Sequence, residues 1–298
     1  MAQKQLTLPG TVVKKSNELV RGKINVDSTQ GGRILASLIA CIRQDDTRFE
    51  REYCIPAKNF LQSDGGYQYK QIKKICRELA QSTFEYEYDD VFKTPMFIVV
   101  PFFSEIEYVN GEIKAQFNNS KKMKECLLQL RSKFTEYNLI EYLQLPSIYS
   151  QRIYENLKSW EKTHQEVTIE LHKLHYMLNV PESFTKDFRE FRRWVLEKAH
   201  KDINKKTDLT YAWQPIKKGN AVVKIRFVLG RKQISIAEKQ TKELSQAKKS
   251  ARINKAYVTA FKCARAKDGT CDTEDNKPTV CAMCKQQGLQ AEARKSGR

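Results

Sequence analysis

An α+β fold, mostly helical, with two tandem domains of one architecture and a basic C-terminal tail, is predicted by three observations on this 298-residue chain. Between about Gln165 and Gly230 the hydrophobic period spells helix, tight turn, longer helix, two-stranded hairpin. A weaker version of that order, helices followed by strands, runs through residues 20–118. Beyond Gly230 the apolar period stops and the chain continues polar and basic. Helix, turn, helix and hairpin in that order is the layout of a winged helix.

The elements follow in chain order. Residues 1–19 are polar and basic around Pro9-Gly10 and read as a flexible arm. From about Arg33 to Gln44 the residues Ile34, Leu35, Leu38, Ile39 and Ile42 recur at helical spacing. Gly31-Gly32 is a poor helix start, so the helix is expected after it. Phe49–Ile55 is extended, Pro56 opens a short helix through Leu61, and Gly65-Gly66 turns. A second amphipathic helix places Ile72, Ile75, Cys76 and Leu79 inward and Lys70, Lys73, Lys74 and Arg77 elsewhere. The period then falls to two at Phe84, Tyr86 and Tyr88, and Phe97–Phe103 reads as a buried strand. Asn110-Gly111 between Glu105–Tyr108 and Glu112–Phe117 is a two-residue hairpin turn, because both positions need positive φ.

Residues 120–143 read as helical, with Met123, Leu127, Leu130 and Phe134 at spacings of three and four. Pro146 interrupts, and Ser147 caps a helix carrying Tyr149, Ile153, Leu157 and Trp160 on one face. Val167–Leu178 is a candidate helix with Leu171, Leu174 and Leu178 inward, ended by Asn179-Val180-Pro181. Ser183 or Thr185 caps the next helix, which runs to about Asn204 with Phe184, Phe188, Phe191, Val195 and Ala199 in one narrow arc. Leu209, Tyr211 and Trp213 alternate, Lys217-Lys218-Gly219-Asn220 turns, and Val223, Ile225 and Phe227 alternate back. The expected organisation is an arm (1–19), an N-terminal winged helix (20–125), a connecting helical segment (126–146), a C-terminal winged helix (147–230) and a basic tail (231–298).

The formal net charge is +18 and the pI about 9.5, while 40% of residues are hydrophobic and 10% aromatic. The chain has enough apolar residues for real cores, and its excess positive charge repels itself unless a polyanion offsets it. Nucleic acid is the expected polyanion, since lysine and arginine displace counterions condensed on phosphates. No apolar run approaches the ~18 residues of a membrane span, and residues 1–16 lack the apolar segment of a signal peptide. A cytoplasmic protein associated with the bacterial nucleoid or a plasmid is therefore expected.

A helix that reads a major groove about 12 Å wide must dock an apolar face on its own domain and present long polar side chains opposite. The helix Phe184–Asn204 meets both demands, with Lys186, Arg189, Glu190 and Arg193 outward and Arg192 on the flank. Arginine donates a two-pronged fork to guanine O6 and N7, and Glu190 can accept from cytosine N4. Lys217 and Lys218 at the wing tip suit phosphates or a minor groove, and Lys73, Lys74 and Arg77 suit backbone contacts by the first domain.

These residues carry a resemblance. Leu145-Pro146-Ser147 and Tyr149–Lys158, then Asp187-Phe188-Arg189-Glu190-Phe191-Arg192-Arg193-Trp194-Val195-Leu196, Ile203–Leu209, Ile216–Gly219 and Ile225–Phe227, resemble the second winged helix of iteron-binding plasmid replication initiators. The similarity covers about residues 15–230. It implies two winged-helix domains joined by a long helix, and monomers that bind direct repeats in double-stranded DNA at an origin. It implies recruitment of a host replication initiator and helicase, and homodimers, in equilibrium with monomer, that repress the protein's own promoter. The recognition residues it implies are Lys186, Arg189, Arg192 and Arg193. A winged-helix transcriptional repressor without an origin role is the second reading, and an origin-nicking nuclease the third.

No phosphate-binding loop of the form G-x-x-x-x-G-K-[ST] is present, so no ATP hydrolysis and no enzyme activity is expected. His172 and His175, three apart on a helix, read as structural residues because no carboxylate set accompanies them. Cys41, Cys54, Cys76 and Cys126 stand among apolar residues as reduced core thiols. Cys263, Cys271, Cys281 and Cys284 contain one C-x-x-C knuckle and are candidates for a structural zinc, with a redox pair or an inert tail as alternatives. No other cofactor is expected.

Overall fold

The computed structural model describes residues 12–43, 45–60, 67–89 and 95–231. The tail cysteines Cys263, Cys271, Cys281 and Cys284 and the first part of the arm lie outside the described residues.

The first domain opens with β1 (Val12–Ser16), α1 (Asn17–Arg21), β2 (Lys23–Ile24) and α2 (Thr29–Ile39). The arm expectation fails from Val12 onward. β1 pairs antiparallel with β8 (Phe134–Asn138), Val13 opposite Tyr137, and Val13, Lys15 and Leu19 are fully buried. Lys15 is drawn inside by Glu155, which stands 140 residues away in the chain. Gly31-Gly32 does not delay α2 either. Ser28 caps the helix, its Oγ accepting from Gly31 N–H at 2.9 Å. A Cβ on Gly32 would stand 2.4 Å from Gln151 Oε1, so the glycine lets another helix approach closely.

β3 (Tyr53–Pro56) leads through a 3-10 turn (Ala57–Phe60) to α3 (Tyr67–Ala80). Next come β4 (Thr83–Asp89), β5 (Pro95–Pro101), β6 (Phe103–Val109) and β7 (Glu112–Phe117). They form two antiparallel sheets in the orders β2-β4-β5 and β3-β7-β6. Asn110 and Gly111 between β6 and β7 have φ of 51° and 78°, both positive as their turn requires.

The connecting helical segment (126–146) is a correction. α4 (Lys121–Leu127) ends early, Gln129 and Lys133 take positive φ, and the chain re-enters as strand β8 before α5 (Leu139–Gln144). Phe134-Thr135-Glu136-Tyr137-Asn138 has period two, with Thr135 and Tyr137 inward, and β1 offers the edge it pairs with. The helix that stands between the two halves comes later, at Ile148–Glu161.

α6 (Ile148–Glu161) is capped by Ser147, as the sequence predicts, through Tyr149 N–H at 3.2 Å. It is buried on nearly every side. It packs on α1, α2 and β8 and, across the helix, on α10 (Lys198–Lys206) and β11 (Ala221–Arg231). Gln151, Arg152, Glu155 and Asn156 are therefore as buried as Ile153 and Leu157.

The candidate helix Val167–Leu178 is also corrected. β9 (Glu166–Glu170) comes first and α7 (Leu171–Met177) follows, with Leu174 and Leu178 inward. β9 adds to the wing, in the order β10-β11-β9 with β10 (Leu209–Lys218), because the open edge of β11 takes up its backbone groups. Asn179, at φ 47°, and Pro181 end α7 where expected. Neither Ser183 nor Thr185 caps one long helix. α8 (Glu182–Lys186) stops at Asp187, which has an extended backbone and caps α9 (Phe188–Phe191) by accepting from Arg189 N–H at 2.8 Å. A π-helical turn (Arg192–Glu197) then joins α9 to α10. One continuous apolar cluster runs from Val13 and Leu19 through Tyr154 to Phe191, Ile203 and Phe227.

Candidate nucleic-acid interface

The outward side of α9, the π turn and α10 is set by what the inward side buries. Phe191, Val195, Leu196, Ala199 and Ile203 are inside, and the His175 ring meets Phe191 edge to face at 4.4 Å between centroids. Three consecutive residues, Arg192, Arg193 and Trp194, are left outward in the π turn. Such turns are rare and recur at functional sites.

Each predicted residue has a distinct position. Arg189 stands in the first turn with its side chain 92% exposed, its Nε 3.7 Å from Asp187 Oδ1. Arg192 Nε lies 2.7 Å from Glu197 Oε1, and its guanidinium is 5.9 Å from the Trp213 ring of β10, at the junction of helix and wing. Arg193 lies over the Trp194 ring at 5.1 Å. Glu190 accepts from the Trp194 indole N–H at 2.8 Å. Lys186 is not on this helix. It ends α8 and pairs with Glu182 at 2.6 Å, because Asp187 separates the two segments.

Lys217 and Lys218 project at the tip of the β10–β11 hairpin, next to Gly219 with φ 60°. A bulge at Ile216/Lys217 bends the tip. Lys224 and Arg226, outward on the same hairpin, differ from them. Glu170 and Glu166 of β9 stand 3.9 and 2.5 Å away, so the strand hidden in the sequence neutralises the stem and leaves the tip cationic. In the first domain Lys70, Lys73, Lys74 and Arg77 line the exposed side of α3, along a groove shared with Asn25, Asp27 and Ser28. Glu78 beside them is occupied structurally, accepting from Asp27 N–H, Ser28 N–H and Ser28 Oγ.

Sequence reasoning missed Trp194, although tryptophan among outward arginines was legible. It also missed Arg152 and Glu155: their i, i+3 pairing on one helix was legible, but their burial against Lys15, Val20, Gly22 and Tyr137 has no local signal. His172 is largely exposed and His175 buried, so the pair does not converge on one ion, and burial, then His172, lowers the His175 pKa. Among the described residues no three His, Cys, Asp or Glu side chains come together as a metal site, and no helix is long and apolar enough to cross a membrane. Cys41, Cys54, Cys76 and Cys126 form no disulfide, and burial pushes the Cys41 thiol up to about 12.

Residues 12–158 match the family model described as initiator replication protein, WH1, and residues 170–229 that described as initiator Rep protein, WH2. Among solved structures, the chain is similar to the Pi initiator protein crystallised with iteron DNA. The TM-score is 0.58 and the identity 19%, over 77% of this chain and all of that one. Domains 2 and 3 of RctB overlap more loosely, at a TM-score of 0.38 and 11% identity over 77% of this chain and 94% of that one. No curated protein matches the chain.

Proposed function

The chain belongs to the initiator replication protein family as two tandem winged-helix domains, and on that premise we propose that it starts plasmid replication by binding iterons, direct repeats in double-stranded DNA at an origin. The observation that carries the reading is the junction at Arg192. Its guanidinium sits between Glu197 and the wing residue Trp213, so the arginine-bearing helix and the cationic hairpin form one surface. On that surface Arg189, Glu190, Arg192 and Arg193 face base edges, while Lys217 and Lys218 take phosphates or a minor groove. Lys186, displaced onto α8, contributes charge near the backbone. Lys73, Lys74 and Arg77 of the first domain hold a further stretch of backbone.

Origin opening, recruitment of a host initiator and helicase, and autorepression by a homodimer extend the same reading. A structural zinc on Cys263, Cys271, Cys281 and Cys284 is a separate proposal, tested by metal analysis of the full chain and of a Cys281→Ser variant.

The deciding experiment is fluorescence anisotropy of the full chain on duplexes from upstream of its reading frame, against scrambled duplexes, across a salt series. Preference for head-to-tail repeats beside an AT-rich segment supports the initiator. Preference confined to one inverted site supports a repressor without an origin role. Equal binding to specific and scrambled DNA refutes sequence recognition by the second domain.

A further inference from the structure

The recognition surface holds one large apolar side chain and one acid that the basic pattern does not explain. Trp194 is 47% exposed in the middle of the π turn. Its indole N–H donates to Glu190 Oε2 one turn earlier, at 2.8 Å, and the Arg193 guanidinium covers its ring at 5.1 Å. The other Glu190 oxygen has no protein donor among the described residues.

Both features are costly on a surface that meets phosphates. A carboxylate facing DNA is repelled unless it accepts from a base; of the two major-groove amino donors, adenine N6 stands beside the acceptor N7, which repels a carboxylate, so cytosine N4 is the better partner. A single exposed tryptophan needs no explanation by itself. This one is held at both ends, by Glu190 and Arg193, so its ring is fixed before DNA arrives and loses little side-chain freedom on binding. Among the groups in the major groove, the thymine 5-methyl is the one that gains from an apolar partner.

We infer that Trp194 is a specificity-determining residue of this surface: its ring takes up a thymine 5-methyl, and its N–H positions the Glu190 carboxylate on the amino group of a nearby cytosine. The assignment rests on the recognition-helix reading given above. It converts a helix of arginines, which prefers guanine, into one that also distinguishes thymine and cytosine. Glu190 contacts the base, and Trp194 acts twice, directly through its ring and as a positioning residue through its N–H.

The test begins with duplexes selected from a randomised pool by the wild-type full chain. Each thymine of the selected site is then replaced by deoxyuracil, which removes only the methyl. Wild type is expected to lose about fourfold in affinity at one position, the worth of one buried methyl-sized group. Trp194→Ala loses that discrimination, and Arg189→Ala keeps it. Trp194→Phe, which keeps a ring and lacks the N–H, retains the methyl effect and relaxes the cytosine preference as Glu190→Gln does. Thermal melts of each variant establish that it is folded. If the pool yields no enriched sequence, the recognition-helix reading falls, and this assignment with it. If a sequence is enriched and every folded Trp194 variant discriminates uracil and cytosine as wild type does, the assignment alone is overturned.

Discussion

Arg152 and Glu155 face each other one turn apart on α6, Nη1 to Oε2 at 2.6 Å, with both side chains buried. Through Nη2 the same guanidinium donates to the Val20 and Gly22 carbonyls of the first domain at 3.0 and 2.8 Å, and to Met177 of the second at 3.4 Å. Glu155 in turn holds Lys15 of β1 at 2.5 Å and accepts from the Tyr137 hydroxyl. One ionic cluster thus ties β1, α1, β8, α6 and α7 together.

Removing the anion of that cluster leaves two buried cations facing each other. Glu155→Gln is expected to cost about 3–5 kcal/mol of unfolding free energy. Replacing Lys15, Arg152 and Glu155 together by methionines is expected to cost less than the single change. Urea denaturation of the three proteins checks the order. A triple variant weaker than Glu155→Gln would show that the geometry of the pairs outweighs their desolvation.

Acid sensitivity should follow from His175. Burial lowers its pKa first and His172 second, from an ordinary value of 6.5, so the folded protein resists a proton that the unfolded chain accepts. Stability is expected to fall as pH drops below 6.5, by up to about 1.4 kcal/mol per unit until the folded value is reached. Denaturation midpoints at pH 7.5 and 5.5 for wild type and His175→Gln test this. The variant's midpoint should depend less on pH, and equal slopes would remove His175 from the account.

Gly32 should tolerate no methyl. Its Cβ would stand 2.4 Å from Gln151 Oε1 and 3.2 Å from Tyr142 OH. Both neighbours are buried, so they have little room to yield. Gly32→Ala is expected to lose about 1–3 kcal/mol, although alanine is the better helix former. A thermal melt showing no loss would mean that α2 and α6 separate at small cost.

Arg193 and Lys218 should differ in kind. Arg193→Ala is expected to cost about 1–3 kcal/mol, chiefly against the preferred duplex. Lys218→Ala is expected to weaken specific and scrambled duplexes alike and to lower the salt slope by about one. Anisotropy titrations between 50 and 200 mM salt separate the two. Identical profiles would contradict the division between helix and wing tip.

The amino-acid sequence by itself determined what local chemistry controls. The Asn110-Gly111 turn, the Ser147 cap, the stop at Asn179–Pro181, and the inward arc Phe188, Phe191, Val195 and Ala199 each depend on neighbours within a few residues. So does the exposure of Arg189, Arg193, Lys217 and Lys218, since no local apolar pattern buries them. Tertiary structure decided the rest. Residues 12–16 became a strand because β8 lay beside them, and 166–170 because β11 had an open edge. Lys15 went inside because Glu155 and Tyr137 waited there. The break at Asp187 was legible as an aspartate cap, yet the even apolar arc around it hid the stop. Strand pairing and the buried Lys15–Glu155 pair join distant segments, and no window of one helix or strand contains both partners.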